Sequence, residues 1–215
     1  MDLSLLFAAT FGAYLAGSIP FGLLVARLTG GPDPRSVGSG RTGGTNALRA
    51  LGRRRASIVA AGDILKGTLP VLVVRSLADQ GGAASASWWE VAAALFAVIG
   101  ATHSVWVGFK GGRGIATGFG TALAIAPLPL AAVAPVFLVV IWRTKIVSLG
   151  SLAAAALFTP ALITINLATT ASLDSALVAY GVVGPALVWV AHADNITRLR
   201  GGTERRFDTG LLRRD

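Results

Sequence analysis

The sequence has no cysteine, only two histidines, and charged residues at 13% of its 215 positions. Without cysteine there is no disulfide, no thiol nucleophile and no cysteine metal site. His103 and His192 are too few for a three-histidine metal centre. Neither is followed by aspartate five residues later, where Gly108 and Thr197 stand, so the H-x-x-x-x-D acyltransferase signature is missing. No G-x-S-x-G nucleophile elbow occurs. The glycine-rich runs do not satisfy G-x-x-x-x-G-K-[ST], which disfavours an ATP site. A soluble domain carries about a quarter charged residues. Here the charge is half of that, 53% of residues are hydrophobic and the mean hydropathy is +0.68, which argues against a water-soluble fold.

The charges present are lopsided, 19 Lys and Arg against 10 Asp and Glu, for a net charge of +9. A chain this apolar is not expected to bind nucleic acid. It fits a multi-span membrane protein with basic loops, or a surface that handles anions. A spanning helix needs roughly 20 mostly apolar residues, and such runs occur at about 3–28, 57–74, 88–107, 115–142, 146–167 and 175–193. The first is too long for a signal-peptide core and follows Asp2 rather than a basic cluster, so it is read as a retained helix. No internal repeat is evident, and the loop at about 29–56 is too small and too rich in Gly and Arg to bury a core of its own. The chain is therefore read as one integral membrane unit over 1–215, with motif loops at about 29–56, 108–114 and 143–148 and a basic tail at 195–215.

The block at 115–142 decides the topology, because Ala126-Pro127-Leu128-Pro129 interrupts it and proline removes a backbone donor. Basic flanks mark the cytoplasmic side. A single kinked span would put Arg143, Lys145 and the tail opposite the first loop, whereas a hairpin puts every cation except Arg75 on one side. The expected fold is thus all-α, with seven transmembrane helical segments, two of them short and hairpin-folded, an outside N-terminus and a cytoplasmic C-terminus.

Two loops have the chemistry of an anion site. The first reads Gly38-Ser39-Gly40-Arg41-Thr42-Gly43-Gly44-Thr45-Asn46-Ala47-Leu48-Arg49. Its glycines can turn backbone N–H groups toward an anion, its hydroxyls donate further bonds, Arg49 can grip phosphate in a bidentate way, and a helix starting near Asn46 would assist. A flexible basic loop holding anionic lipid heads has the same composition. The second reads Lys110-Gly111-Gly112-Arg113-Gly114 ahead of a helix start, which suits a phosphate or simple positive-inside anchoring. Asp63 and Lys66, three apart in an apolar run, share a helical face. They are either functional, as intramembrane charges commonly are, or a self-neutralising structural pair. His192 and Asn195 share a face at the end of the last apolar run, where a lone histidine can equally be structural.

Taken in order, Tyr14-Leu15-Ala16-Gly17-Ser18-Ile19-Pro20-Phe21-Gly22, Ser39-Gly40 through Asn46 and Arg49, Asp63 with Lys66-Gly67, Lys110 through Gly114, and His192 with Asn195-Ile196 closely resemble the bacterial acyl-phosphate:glycerol-3-phosphate acyltransferases (PlsY). The resemblance spans almost the whole chain. It implies a plasma-membrane enzyme of seven helices that transfers a fatty acyl group from acyl phosphate to the 1-hydroxyl of glycerol 3-phosphate, giving lysophosphatidic acid and phosphate, as a monomer without cofactor or metal. Carried over, the catalytic candidates are Ser39, Arg49, Lys110, His192 and Asn195. The substrate-binding candidates are Gly40, Thr45, Asn46, Lys66, Gly111, Gly112, Arg113, Gly114 and Ser148. Acyl phosphate is a mixed anhydride with a good leaving group, so positioning and charge stabilisation would replace the missing nucleophile sets. The chain departs from the family pattern in three places. His103-Ser104-Val105-Trp106-Val107-Gly108-Phe109 is short and lacks a proline, Arg113 stands where lysine is common, and Arg41 stands where asparagine is common. A small anion or lipid transporter is the alternative, suggested by Asp63, Lys66 and broken helices; a non-catalytic membrane subunit is another.

Overall fold

A computed structural model of the chain describes residues 3–80 and 86–207. Asp2 and the end of the basic tail, with Arg213 and Arg214, lie outside the described residues. The described residues form helices joined by short links, with no strand among them. The apolar runs become α1 (Leu3–Ser18), α4 (Arg53–Gln80), α5 (Ala86–Thr102), α6 (Ile115–Ile125), α7 (Pro127–Thr144), α8 (Val147–Thr170) and α9 (Ser175–Ala191). Three short α-helices, α2 (Phe21–Leu28), α3 (Gly44–Leu51) and α10 (Ala193–Arg200), and two single 3-10 turns, at Pro34–Ser36 and Val105–Val107, lie between or after them. Large apolar side chains such as Phe7, Leu69, Leu138, Trp142 and Val190 face outward around the bundle, the surface expected of a protein solvated by lipid.

Two runs that look continuous in sequence are bent. The first breaks at Ile19-Pro20, where α2 turns 53° away from α1, because Pro20 cannot extend the helical hydrogen-bond ladder. The last breaks at His192, where α10 turns away by 62°. The interruption at Ala126-Pro127 ends α6 after 11 residues, while α7 runs to 18, so only one half of the expected hairpin is short.

Both ends of that hairpin return to the same side. Thr117, in the first turns of α6, and Val147, at the start of α8, line one cavity. At the opposite end of α6 the Ala124 carbonyl accepts from Arg75, which also donates to Glu90 at 2.8 Å. Arg75, the cation that the charge count isolates, thus stands apart from the others and already has a carboxylate.

Packing relies on small residues, as expected where lipid removes the hydrophobic drive between helices. A Cβ at Gly17 would collide with the Ala97 carbonyl and one at Gly100 with the Tyr14 carbonyl, so α1 and α5 touch backbone to backbone. Gly67 and Gly120 do the same for α4 and α6. Pro185 leaves the Gly181 carbonyl without its helical donor, and the Thr159 hydroxyl of α8 donates to it instead. The first loop finds a core after all by borrowing one: Ala47 and Leu51 of α3 bury against Val25 and Ala26 of α2 and Ala56 and Val59 of α4.

Candidate active site

The links 29–43, 103–114 and 145–146, together with α10 and the segment after it, meet at one end of the bundle. A cavity of about 340 Å³ lies among them. Three helix N-termini line it: Gly44 and Thr45 of α3, Ile115 and Ala116 of α6, and Val147 and Ser148 of α8. Unpaired N–H groups and the positive end of the helix dipole make each of these attractive to an anion. The α6 terminus depends on Gly114, whose φ of +71° an L side chain would resist.

Asn46 organises the first loop. Its amide nitrogen donates to Ser39 Oγ at 3.2 Å and to the Arg41 carbonyl at 2.9 Å, and its oxygen accepts from Arg49 Nη1 at 3.1 Å. Ser39 Oγ also accepts from Arg113 at 3.5 Å, which leaves its own proton for a ligand. Arg49 makes no ion pair among the described residues. Burial and the nearby charge of Arg205 pull its guanidinium pKa down, with Glu204 opposing. Arg49, partly desolvated, and the exposed Arg205 bring two like charges to one cavity, a place where a dianion would be stabilised.

On the opposite wall Arg113 donates to Asp194 at 2.9 Å, and Arg198 bridges Asp194 at 3.2 Å and Glu204 at 2.8 Å. Burial pushes the Asp194 carboxyl up, but Arg113, Arg198 and Arg41 outweigh it and hold the pKa below the usual value. Glu204 also accepts from Asn195 Nδ2 at 2.7 Å. The Asn195 carbonyl oxygen and Ser148 Oγ are buried with no hydrogen-bond partner, so both remain free for a ligand. His192 lies in the link beyond α9, its Nδ1 2.8 Å from the Val188 carbonyl. Since a carbonyl only accepts, Nδ1 carries the proton and Nε2 is left as an acceptor. Burial lowers the imidazole pKa to about 4, so the ring is neutral at pH 7.

Asp63 and Lys66 reach the same cavity already paired. Lys66 Nζ stands 2.6 Å from Asp63 Oδ1 and donates to the Ile19 carbonyl at 2.9 Å. That carbonyl lies at the α1–α2 break, so the pair pins the bend. Phe21, Ile64, Phe119 and Phe137 give the cavity an apolar flank.

The cavity therefore gathers Ser39, Thr45, Asn46, Arg49, Lys66, Gly112, Arg113, Gly114, Ser148, His192 and Asn195. Lys110, Gly40 and Gly111 do not line it; they border a separate depression with His103. The cause is local. Phe109 takes a left-handed φ of 61°, the Gly111 N–H is tied to the Thr102 carbonyl at 3.1 Å, and so residues 110 and 113 project to opposite sides of the loop. Asp194, Glu204 and Arg205 contribute to the site without standing out in the sequence. They sit in a stretch that looks like an ordinary solvated basic tail, and no local motif distinguishes them.

Residues 7–202 match the family model described as glycerol-3-phosphate acyltransferase. Relatives named glycerol-3-phosphate acyltransferase include those of Geobacter sulfurreducens, 41% identical over 91% of this chain and 94% of theirs, and Thermus thermophilus, 42% identical over 91% and 92%. A crystal structure of PlsY, an integral membrane glycerol 3-phosphate acyltransferase, in its glycerol 3-phosphate form superposes with a TM-score of 0.84 at 34% identity, covering 98% of this chain and 99% of that one. The lysophosphatidic acid form of PlsY gives 0.81 at 33%, covering 96% and 97%. With likeness running through the helices and the loops that meet at the cavity, this multi-pass membrane protein belongs to the glycerol-3-phosphate acyltransferase family.

Proposed function

We propose that this glycerol-3-phosphate acyltransferase takes its acyl group from acyl phosphate, transfers it to the 1-hydroxyl of glycerol 3-phosphate, and releases lysophosphatidic acid and phosphate. The observation that carries the reading is the pair Arg49 and Arg205, two cations without carboxylate partners among the described residues, in the same cavity as the free acceptors of His192 and Asn195. The guanidinium groups bind the phosphate of glycerol 3-phosphate, with Ser39, Thr45 and Asn46 shaping that end. Lys66 holds the α1–α2 bend beside it. His192 Nε2, the Asn195 carbonyl oxygen and Ser148 Oγ orient the glycerol hydroxyls. Gly112, Arg113 and Gly114, at the start of α6, receive the phosphate of the acyl donor.

The hydroxyl oxygen attacks the acyl carbon, the bond from that carbon to the phosphate oxygen breaks, and the departing phosphate takes the hydroxyl proton. An imidazole with a pKa near 4 is a poor base for this step, since efficient general bases are poised near the working pH. Its neutral Nε2 orients the hydroxyl, and the phosphate dianion accepts the proton. The enzyme acts as a monomer in the bacterial plasma membrane, with the cavity end and C-terminus in the cytoplasm and the N-terminus outside. By this topology every cation among the described residues except Arg75 belongs to the cavity end, in keeping with the positive-inside rule.

The test is phosphate release from the purified protein. Release that requires both acyl phosphate and glycerol 3-phosphate is expected, with lysophosphatidic acid formed in equal amount. Equal turnover with either substrate alone, or with a thioester donor and no acyl phosphate, would sink the donor assignment.

A further inference from the structure

Beside the cavity, on the other face of the 110–113 loop, lies a depression of about 420 Å³ bordered by Arg41, His103, Phe109, Lys110 and Val190. Its floor is fixed by bonds to neighbouring backbone. Tyr14 donates to the His103 carbonyl at 2.9 Å, Ser104 to the Ser18 carbonyl, and the Gly111 N–H to the Thr102 carbonyl. No carboxylate borders it, and Lys110 has no ion-pair partner among the described residues. A cation held on a rigid loop without a counter-charge is complementary to an anion.

The rim specifies what kind of anion. Val190, 71% exposed, and Phe109, 60% exposed, border the depression. Val190 sits on the outward face of α9, and Trp106, 61% exposed, stands on the same loop as Lys110. Aromatic side chains of this kind sit at headgroup depth in membranes. An exposed apolar rim beside an unpaired cation suits an amphiphile rather than a free anion.

We propose that this depression binds the phosphate headgroup of an anionic membrane phospholipid, with Lys110 as its ion-pair partner and an acyl chain lying along Val190. The site goes beyond the acyl-transfer reaction and requires neither of its substrates. Arg41 borders both hollows and donates to the Gly112 carbonyl at 3.2 Å, so the bound lipid lies one side chain away from the reaction cavity.

Native mass spectrometry of the full chain released from nanodiscs of equal phosphatidylglycerol and phosphatidylcholine tests this directly. The wild type should retain phosphatidylglycerol preferentially. Lys110→Gln should lower the ratio retained by about tenfold, the scale of one charge-assisted contact, while Lys110→Arg keeps it. Arg200→Gln, which removes an exposed cation elsewhere at the same end, should leave the ratio unchanged. An unchanged ratio in Lys110→Gln, or an equal fall in Arg200→Gln, would overturn the proposal, since the latter means general attraction of a basic face. The acyltransferase assay plays no part in this readout, so its outcome stands apart from that of the acyl-phosphate proposal.

Discussion

Two groups of charges reach the same cavity in opposite conditions. Asp63 and Lys66 are buried in α4 and satisfy each other at 2.6 Å, with the Ile19 carbonyl taking a further donor. Arg49 and Arg205 share the other wall with no carboxylate in contact. The closed pair is part of the scaffold, and the open pair is available to a substrate. Charge inside a membrane protein is therefore informative only together with its partner. By sequence Asp63 and Lys66 are either functional or a self-neutralising structural pair, and they are what suggests a transporter; in the structure they pair with each other and hold a helix bend.

The contrast can be broken most severely at the closed pair. Asp63→Ala leaves a buried ammonium uncompensated and should destabilise the fold by about 3–5 kcal/mol, read as a fall in thermal unfolding temperature in detergent. The double substitution Asp63→Ala with Lys66→Met should recover much of that loss. A single variant as stable as the wild type would show that the pair is not structural.

The open pair should behave in the reverse way. Arg49→Ala removes half of a dianion clamp and should lower kcat/KM for glycerol 3-phosphate by roughly a hundredfold, about 2.7 kcal/mol, with the unfolding temperature nearly unchanged. Full turnover in detergent would contradict the role given to Arg49. Glu204→Gln tests the link between the two conditions. It keeps a hydrogen bond to Asn195 but loses the charge that holds Arg198, so KM for glycerol 3-phosphate should rise by about tenfold, within the usual worth of a charged hydrogen bond.

A separate expectation concerns pH. The His192 pKa is about 4 in the fold against an ordinary 6.5, so between these values the unfolded chain binds more protons than the native one. Stability should then rise with pH from about 4 to 6.5 and flatten above. His192→Gln should remove this component of the slope, as followed by thermal unfolding across that range. A slope unchanged in the variant would place the titration elsewhere.

Much of this was legible in the sequence because the signals were local. Pro127 predicts the break that ends α6, the spacing of Asp63 and Lys66 predicts a shared helical face, and the Gly-rich runs before Asn46 and Ile115 predict turns feeding helix starts. What was illegible depended on contacts far apart in the chain. Glu204 is recognisable as a site residue only once α10 brings it to Asn195, and Lys110 departs from Arg113, three residues away, only because Phe109 and the Thr102 carbonyl turn the loop.

The sequence by itself determined the medium of the protein: long apolar runs must span lipid because their backbone polar groups need internal partners. Only the tertiary structure decided which cations are spent on each other and which stay open. That outcome rests on distances of a few ångströms between residues far apart in the chain, as in Arg113 and Asp194, 81 positions apart, and Coulomb energy depends on separation and burial rather than on order in the chain.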